Sequence, residues 1–365
     1  MKKSFKIKII ISFLTPGILI LKTILKNYPY VIENYYSKGI NKFLIKILSK
    51  VTGVFPFSLA EFLVGILSIT LIILIIKLLR NFNKKELPNS ILNITSYLSL
   101  LYFLFMVMWG FNYYRLPLSN IINLPVEKSS KEDLYNLCLS LVERANALRE
   151  ELDEDSNGVM KLQLSSKEVF KEGKISYENL SENIKELDGE YGLAKGIILS
   201  KPMTYTGITG IYMPYTGEAN VNVNITDMML PSTVLHEMAH QRGFAREDEA
   251  NYIAYVGGVN HPRKEFQYSG IMLGLIHSVN ALGDKDMEAY KNIKSKYSRK
   301  VRRDLNYQSE FWSKYEGSVE EYASKVNSNY LKSNGQGDGV ESYGRMVDLL
   351  MAEYKKKLKG DYYGG

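Results

Sequence analysis

The sequence predicts a mainly α-helical fold, with N-terminal transmembrane helices followed by an α+β domain that holds a small sheet. Three observations carry this. Long uncharged runs fill the first 115 residues and then stop. From Ser129 onward, apolar residues recur at helical spacing among many charges. One short stretch, Asn220-Val221-Asn222-Val223-Asn224-Ile225, alternates with the period of a strand. A chain of 365 residues has room for about two units. These are a membrane region over 1–115 and a second domain over 129–365.

The first apolar run, Ile9 to Leu21, follows Lys2, Lys3, Lys6 and Lys8 and contains Pro16 and Gly17. Lys22 and Lys26 follow it where a signal peptide would carry a small-residue cleavage site. It is therefore read as an uncleaved span over about 7–22, with flanking lysines snorkelling to the interface. Lys38, Lys42, Lys46 and Lys50 then recur every fourth residue, with Ile40, Phe43, Leu44, Ile47 and Leu48 between them. This is an amphipathic helix over about 38–51, with lysines toward phosphates of membrane lipid and apolar side chains in the acyl boundary. The other reading is a helix packed on a soluble core.

Leu59 to Ile76 carries one charge, Glu61, and Leu87 to Tyr114 carries none. Both can cross about 30 Å of hydrocarbon, as spans over about 57–76 and 91–111. Trp109, Tyr113 and Tyr114 stand at the far end like an aromatic belt. Glu61 is placed at the interface.

The second domain opens with Ser129-Ser130-Lys131-Glu132, a capping-box pattern leading into a helix through about Leu152. In it Cys138 shares a face with Leu134, Leu137 and Leu141, so it reads as a buried core thiol. As the single cysteine, it also excludes an internal disulfide. Ser176 to Leu187 reads as a helix, and Gly192 to Ile211 as short strands and turns. Lys291 to Arg303 reads as a basic helix with a solvated face or one turned to headgroups, Gly317 to Leu331 and Val347 to Leu358 as the last helices. The net charge of +7 comes with no nucleic-acid motif, and much of it borders apolar segments, so the partner it implies is a membrane surface.

The chemistry concentrates in Leu235-His236-Glu237-Met238-Ala239-His240. Residues four apart on a helix share a face, about 5–6 Å apart at Cβ. Two neutral imidazoles so placed can hold Zn²⁺, and Glu237 then stands where a carboxylate can take a proton from a bound water. Only four histidines occur in the chain and two are here. The metzincin pattern, HExxHxxGxxH, matches as far as Gly243, but its third ligand position is Arg246, which cannot bind zinc. Glu247 and Asn251 form a further pair four apart. This resembles gluzincin-type zinc peptidases, and the resemblance implies a zincin-like domain with Glu247 as third ligand and Asn251 steadying a ligand histidine. Glu249 is turned about 200° from Glu247, so both cannot face one ion. The gap from His240 to Glu247 is short, and Gly243 must turn the chain sharply.

The layout also resembles a family of uncharacterised bacterial membrane proteins that join an N-terminal membrane region, an HExxHQRGFAxE motif and a later Ser-Tyr-Gly-Arg segment. Here these are His236 to Glu247 and Ser342 to Arg345. The three-span layout of that family implies a bacterial plasma-membrane protein whose catalytic domain is extracytoplasmic. The count of positive loops slightly favours the opposite, a cytoplasmic domain with a first run that does not cross.

Other candidates flank the motif. The alternating Asn220, Asn222 and Asn224 describe either an edge strand that pairs with an extended substrate or an ordinary strand with a solvated face. Tyr343 or Arg345 could return to the cleft to bind a carbonyl or an oxyanion. Arg345 is equally read as half of a salt bridge. His261 and His277 are read as structural, with His261 the better transition-state donor of the two.

The expected function is a membrane-anchored zinc peptidase. It hydrolyses peptide bonds of a polypeptide substrate with a zinc-activated water and Glu237 as general base. One alternative is a non-catalytic scaffold or sensor with a structural or vestigial zinc site. Another is a zinc amidase acting on a non-peptide envelope substrate. A closed structural site would need a fourth protein ligand, and none is apparent nearby.

Overall fold

The computed structural model describes residues 3–358 apart from 84. The first apolar run is helical over Ser4–Leu25 (α1), longer at both ends than 7–22. It breaks at Phe13, because Pro16 has no N–H for the Ser12 carbonyl and its ring crowds that oxygen. Ser99 fills the break. Its hydroxyl accepts from the Thr15 N–H at 3.0 Å and donates to the Ile11 carbonyl at 2.8 Å. Backbone groups freed at membrane depth need such partners.

A wide-turned π-helical segment, Ile32–Asn41, leads into α2 (Lys42–Gly53). The two further spans are α3 (Leu59–Arg80) and α4 (Leu87–Met108). Three helices, α1, α3 and α4, are long and apolar enough to cross a membrane. Lys8, near the start of α1, donates to Asn89 at 3.1 Å, while Lys22, near its end, donates to the Ser333 carbonyl at 2.8 Å. The α3–α4 connection therefore lies at the end away from the domain.

The structure alters the reading of α2. Its lysines do not point away from the protein. Lys38 pairs with Glu186 at 2.7 Å, Lys50 with Glu190 at 2.5 Å, and Lys42 donates to the Glu186 carbonyl at 3.2 Å. Ile45 is buried, while Phe43, Ile47 and Val51 are bare. Residues 186–190 thus engage Lys38, Lys42 and Lys50, and the apolar face of α2 is turned outward.

The second domain begins with α5 (Lys131–Glu150), capped by Ser130 and Asp133 one residue beyond the predicted box. Then come α6 (Ser166–Asn183), which starts earlier than expected, and three strands, β1 (Lys195–Gly196), β2 (Gly210–Met213) and β3 (Glu218–Val221). Helices α7 (Leu230–Gln241), α8 (Glu247–Val259) and α9 (Lys264–Lys285) pack around one core with α5 and α6. Cys138 is fully buried there, and burial pushes its thiol up to about 12. The chain ends in α10 (Arg299–Ser313), α11 (Ser318–Ser333) and α12 (Met346–Leu358). The basic stretch 291–303 is divided between Met287–Ser295 and α10, and its Ile293 and Val301 enter the core.

The sheet order is β1-β3-β2, with β1 parallel and β2 antiparallel to β3. The alternating asparagine stretch is thus the central strand and the loop after it, not an edge. Asn220 and Asn222 are buried, and Asn222 donates to the Ile208 carbonyl at 3.1 Å. Asn224 donates to Thr204 at 2.9 Å. These amides fasten the 204–211 loop, which explains polar residues without solvent. The edge strand beside α7 is β2.

The sheet is bolted to the spans. Glu218 accepts from the Leu59 and Ala60 N–H groups at 3.2 and 2.8 Å, at the positive N-terminus of α3. It also pairs with Lys195 at 2.5 Å. Glu61 accepts from the Ile198 and Leu199 N–H groups at 2.9 and 3.0 Å, which places it at the span's edge.

Candidate metal centre

The two helices that carry the motif are joined by a tight stop. Helix α7 ends at Gln241, and Gly243 adopts φ +84°. Its N–H bonds the His240 carbonyl at 2.8 Å, and the Phe244 N–H bonds the Ala239 carbonyl at 3.2 Å. That is the Schellman pattern, which a side chain at Gly243 would strain. Phe244 is fully buried, and α8 starts at Glu247. This turn folds Glu247 back onto the two histidines.

His236, His240 and Glu247 present ligand atoms within 4.8 Å of one another. The Glu247 Oε2 lies 3.2 Å from His236 Nε2 and 3.3 Å from His240 Nε2. The far nitrogens are also fixed. His240 Nδ1 lies 2.7 Å from the Phe244 carbonyl, which can only accept. His236 Nδ1 lies 2.7 Å from Asn251 Oδ1, and Asn251 Nδ2 donates to the Tyr343 carbonyl at 3.3 Å, which sets the amide's orientation. Both Nδ1 atoms therefore carry the proton, and in the neutral rings both Nε2 lone pairs face Glu247. Two imidazole nitrogens and a carboxylate oxygen form an electron-rich triad that a proton or a divalent cation satisfies. Burial alone would lower the His240 pKa, but the facing Glu247 raises it to about 9. Burial would raise Glu247, yet the imidazoles bring it down to about 2.

Glu237 sits beside the triad. Burial lifts its carboxyl to about 7 against the pull of the two histidines. Its Oε2 has no hydrogen-bond partner among the described residues. It leans on Gly210, the first residue of β2, where a Cβ would fall 2.4 Å from Glu237 Oε1. Only glycine gives the carboxylate that space.

An aromatic wall closes the site. Trp109 meets the His240 ring edge-on at 5.7 Å, and Tyr343 stacks on His236 at 6.3 Å. Tyr113 donates to the Tyr330 hydroxyl at 3.0 Å. Burial pushes the phenols of Tyr113 and Tyr343 well above their ordinary value, and Glu247 adds to both. Trp109 and Tyr113 were expected in an interfacial belt. Trp109 instead leaves helical geometry at φ −149°, and the turn Gly110–Tyr114 carries both under the domain, where they are buried.

Behind the Gly243 turn lies a buried polar network. Arg115 binds Glu33 through Nε and Nη2 at 2.8 and 2.7 Å and donates from Nη1 to the Gly243 carbonyl at 3.0 Å. Its guanidinium also covers the Phe244 ring at 4.1 Å. Ser37 and Asn41, from the π-helical segment, bond Asn112 at 2.8 and 3.0 Å.

Of the other sequence candidates, Tyr343 reaches the triad. Arg345 does not, and pairs with Asp338 at 3.1 Å in a half-exposed contact. His261 stacks on Phe266 at 4.2 Å and accepts from the Arg263 N–H, away from the triad. Glu249 accepts from the Leu118 N–H at 2.7 Å and pairs with Arg246 at 3.0 Å, on the side of α8 turned from the histidines. Trp109, Tyr113, Tyr330, Gly210 and Arg115 had no local signal, because each comes to the site from a distant segment.

Fold and cluster together define a mainly helical protein with helices fit to span a membrane and a three-donor group compatible with a metal ion. Residues 36–351 match the family described as "Protein of unknown function (DUF3810)", and the chain belongs to it. No curated protein and no solved structure matches the chain.

Proposed function

We propose that the chain is a membrane-anchored, zinc-dependent peptidase. The observation that carries the reading is the triad, in which His236 and His240 are locked in the tautomer that offers Nε2, with Glu247 between them and an unpartnered Glu237 alongside. Two nitrogens and one carboxylate oxygen suit zinc. Among the described residues no fourth His, Cys, Asp or Glu joins the group, which supports an open, catalytic coordination over a closed structural one. Bound zinc would supply Lewis acidity and lower the pKa of water to about 7. Glu237, with its carboxyl near neutrality, suits proton uptake and return to a leaving amine. Asn251 and the Phe244 carbonyl hold the rings, and Trp109, Tyr343 and Tyr330 keep bulk water from the pocket.

Orientation belongs to the same proposal. Lys8, Lys77, Arg80 and Lys85 lie at the span ends away from the domain, while Lys38, Lys42 and Lys50 are engaged by it. That distribution supports an extracytoplasmic domain. Elemental analysis of the tag-free full chain should find about one zinc per chain. Stoichiometry unchanged in a His236→Ala/His240→Ala chain would refute the site. Glu237→Gln should keep the metal and abolish peptide hydrolysis.

A further inference from the structure

We propose that the outward face of α11 is a membrane-seating surface, with Val319, Tyr322, Val326 and Tyr330 resting in the bilayer interface beside the spans. The four recur at helical spacing and fall within a sector of about 80° at about 100° per residue. They are 56, 71, 50 and 37% exposed, whereas Leu331 on the inner side is fully buried. The exposed Lys325 and Lys332 both lie beyond the Tyr322 edge of the sector, about 60–80° around the helix, where long amines can snorkel.

Lipid is the occupant because the C-terminal end of α11 is fixed where the spans end and its N-terminal end packs on the loop that follows the α3 contact. At its C-terminal end, Tyr330 packs edge-on against Phe105 in the last turn of α4 at 6.1 Å, and Lys22 of α1 holds the Ser333 carbonyl. At its N-terminal end, Glu320 Cγ lies 3.2 Å from where a Gly207 Cβ would sit. Gly207 follows shortly after Ile198 and Leu199, whose N–H groups bind Glu61 in the first turn of α3. A helix of 16 residues, about 24 Å long, thus starts beside the loop that follows the α3 contact and ends at the rim of α1 and α4. Val54 and Phe55, just before α3, and Ile198 and Leu199, which bond Glu61 of its first turn, are exposed as well and add apolar surface at that end of the spans. Helix α11 also carries Tyr330 and Asn327, which face the triad through Tyr113 and Tyr343. The seat therefore roofs the candidate metal centre from the lipid side.

The test uses the full chain in lipid vesicles, with a fluorophore on Tyr322→Cys or Val326→Cys; the native Cys138 is buried. Ile72→Cys, in mid-span, and Asn157→Cys, on an exposed turn of the domain, are the references. Nitroxide-bearing lipid should quench the labels at 322 and 326 at least about twofold more than the label at 157. Equal quenching at 322, 326 and 157 overturns the proposal. So does shielding of 322 and 326 from both nitroxide lipid and aqueous iodide, which would mean a protein partner or a second copy covers the face. None of these readouts depends on zinc, so failure of the peptidase reading leaves them intact.

Discussion

Asn251 offers the sharpest test of the triad, because its effect needs no known substrate. Its Oδ1 lies 2.7 Å from His236 Nδ1, and its Nδ2 holds the Tyr343 carbonyl at 3.3 Å. Asn251→Leu keeps the branched shape and removes both the Oδ1 acceptor and the Nδ2 donor. The His236 Nδ1–H is then buried without a partner, and the ring is free to turn or to move its proton to Nε2, where it blocks a ligand site. Loss of such a supporting partner costs about 10–100-fold in metal affinity, or about 1.4–2.8 kcal/mol. Asn251→Asp retains the acceptor and adds charge, so its zinc affinity should equal or exceed that of the parent. Competition against a chelator of known affinity measures both, with circular dichroism to confirm the fold. If Asn251→Leu binds zinc within about twofold of the parent, the tautomer argument fails.

Three further outcomes follow from the same geometry. Gly210→Ala forces Glu237 off its seat; unfolding measurements should show a cost of about 1–3 kcal/mol, with zinc retained and hydrolysis lost. Glu247→Gln should weaken zinc binding, whereas Glu249→Gln should leave it unchanged while lowering the unfolding midpoint, since it serves Leu118 and Arg246; the reverse pattern would reassign the third ligand. Arg115→Met leaves Glu33 buried with only Lys38, 3.9 Å away, to face it, a loss of about 3–5 kcal/mol that Glu33→Gln in the same chain should partly recover in thermal unfolding.

What the sequence disclosed was what is local. The spacing of His236 and His240, the turn at Gly243 and the helical offset between Glu247 and Glu249 all depend on a few neighbouring residues. The geometry follows those rules closely. What it hid was what faces what. The lysine stripe of α2 marks a polar side but does not say whether phosphate or the 186–190 loop meets it. Alternating asparagines mark a strand but not its place in the sheet, since an amide serves a buried carbonyl as well as it serves water. Trp109 and Tyr113 read as interfacial because aromatic residues at a span's end usually are; only the turn after Met108 reveals that they wall the triad.

The Arg115 and Trp109 contacts bear on how the molecule comes to be assembled. The hinge between the two motif helices is buttressed by a side chain lying just past the last span, and the His240 ring rests on the residue that ends that span. A fragment starting at 129 would carry every triad residue yet lack this buttress, leaving the Gly243 carbonyl without Arg115 and the Glu218 carboxylate without the Leu59 and Ala60 N–H groups. The half that holds the triad is therefore not a cargo domain on a tether. Its interior is completed by Arg115, Trp109 and the first turn of α3, so a cut between the two halves removes part of its own packing.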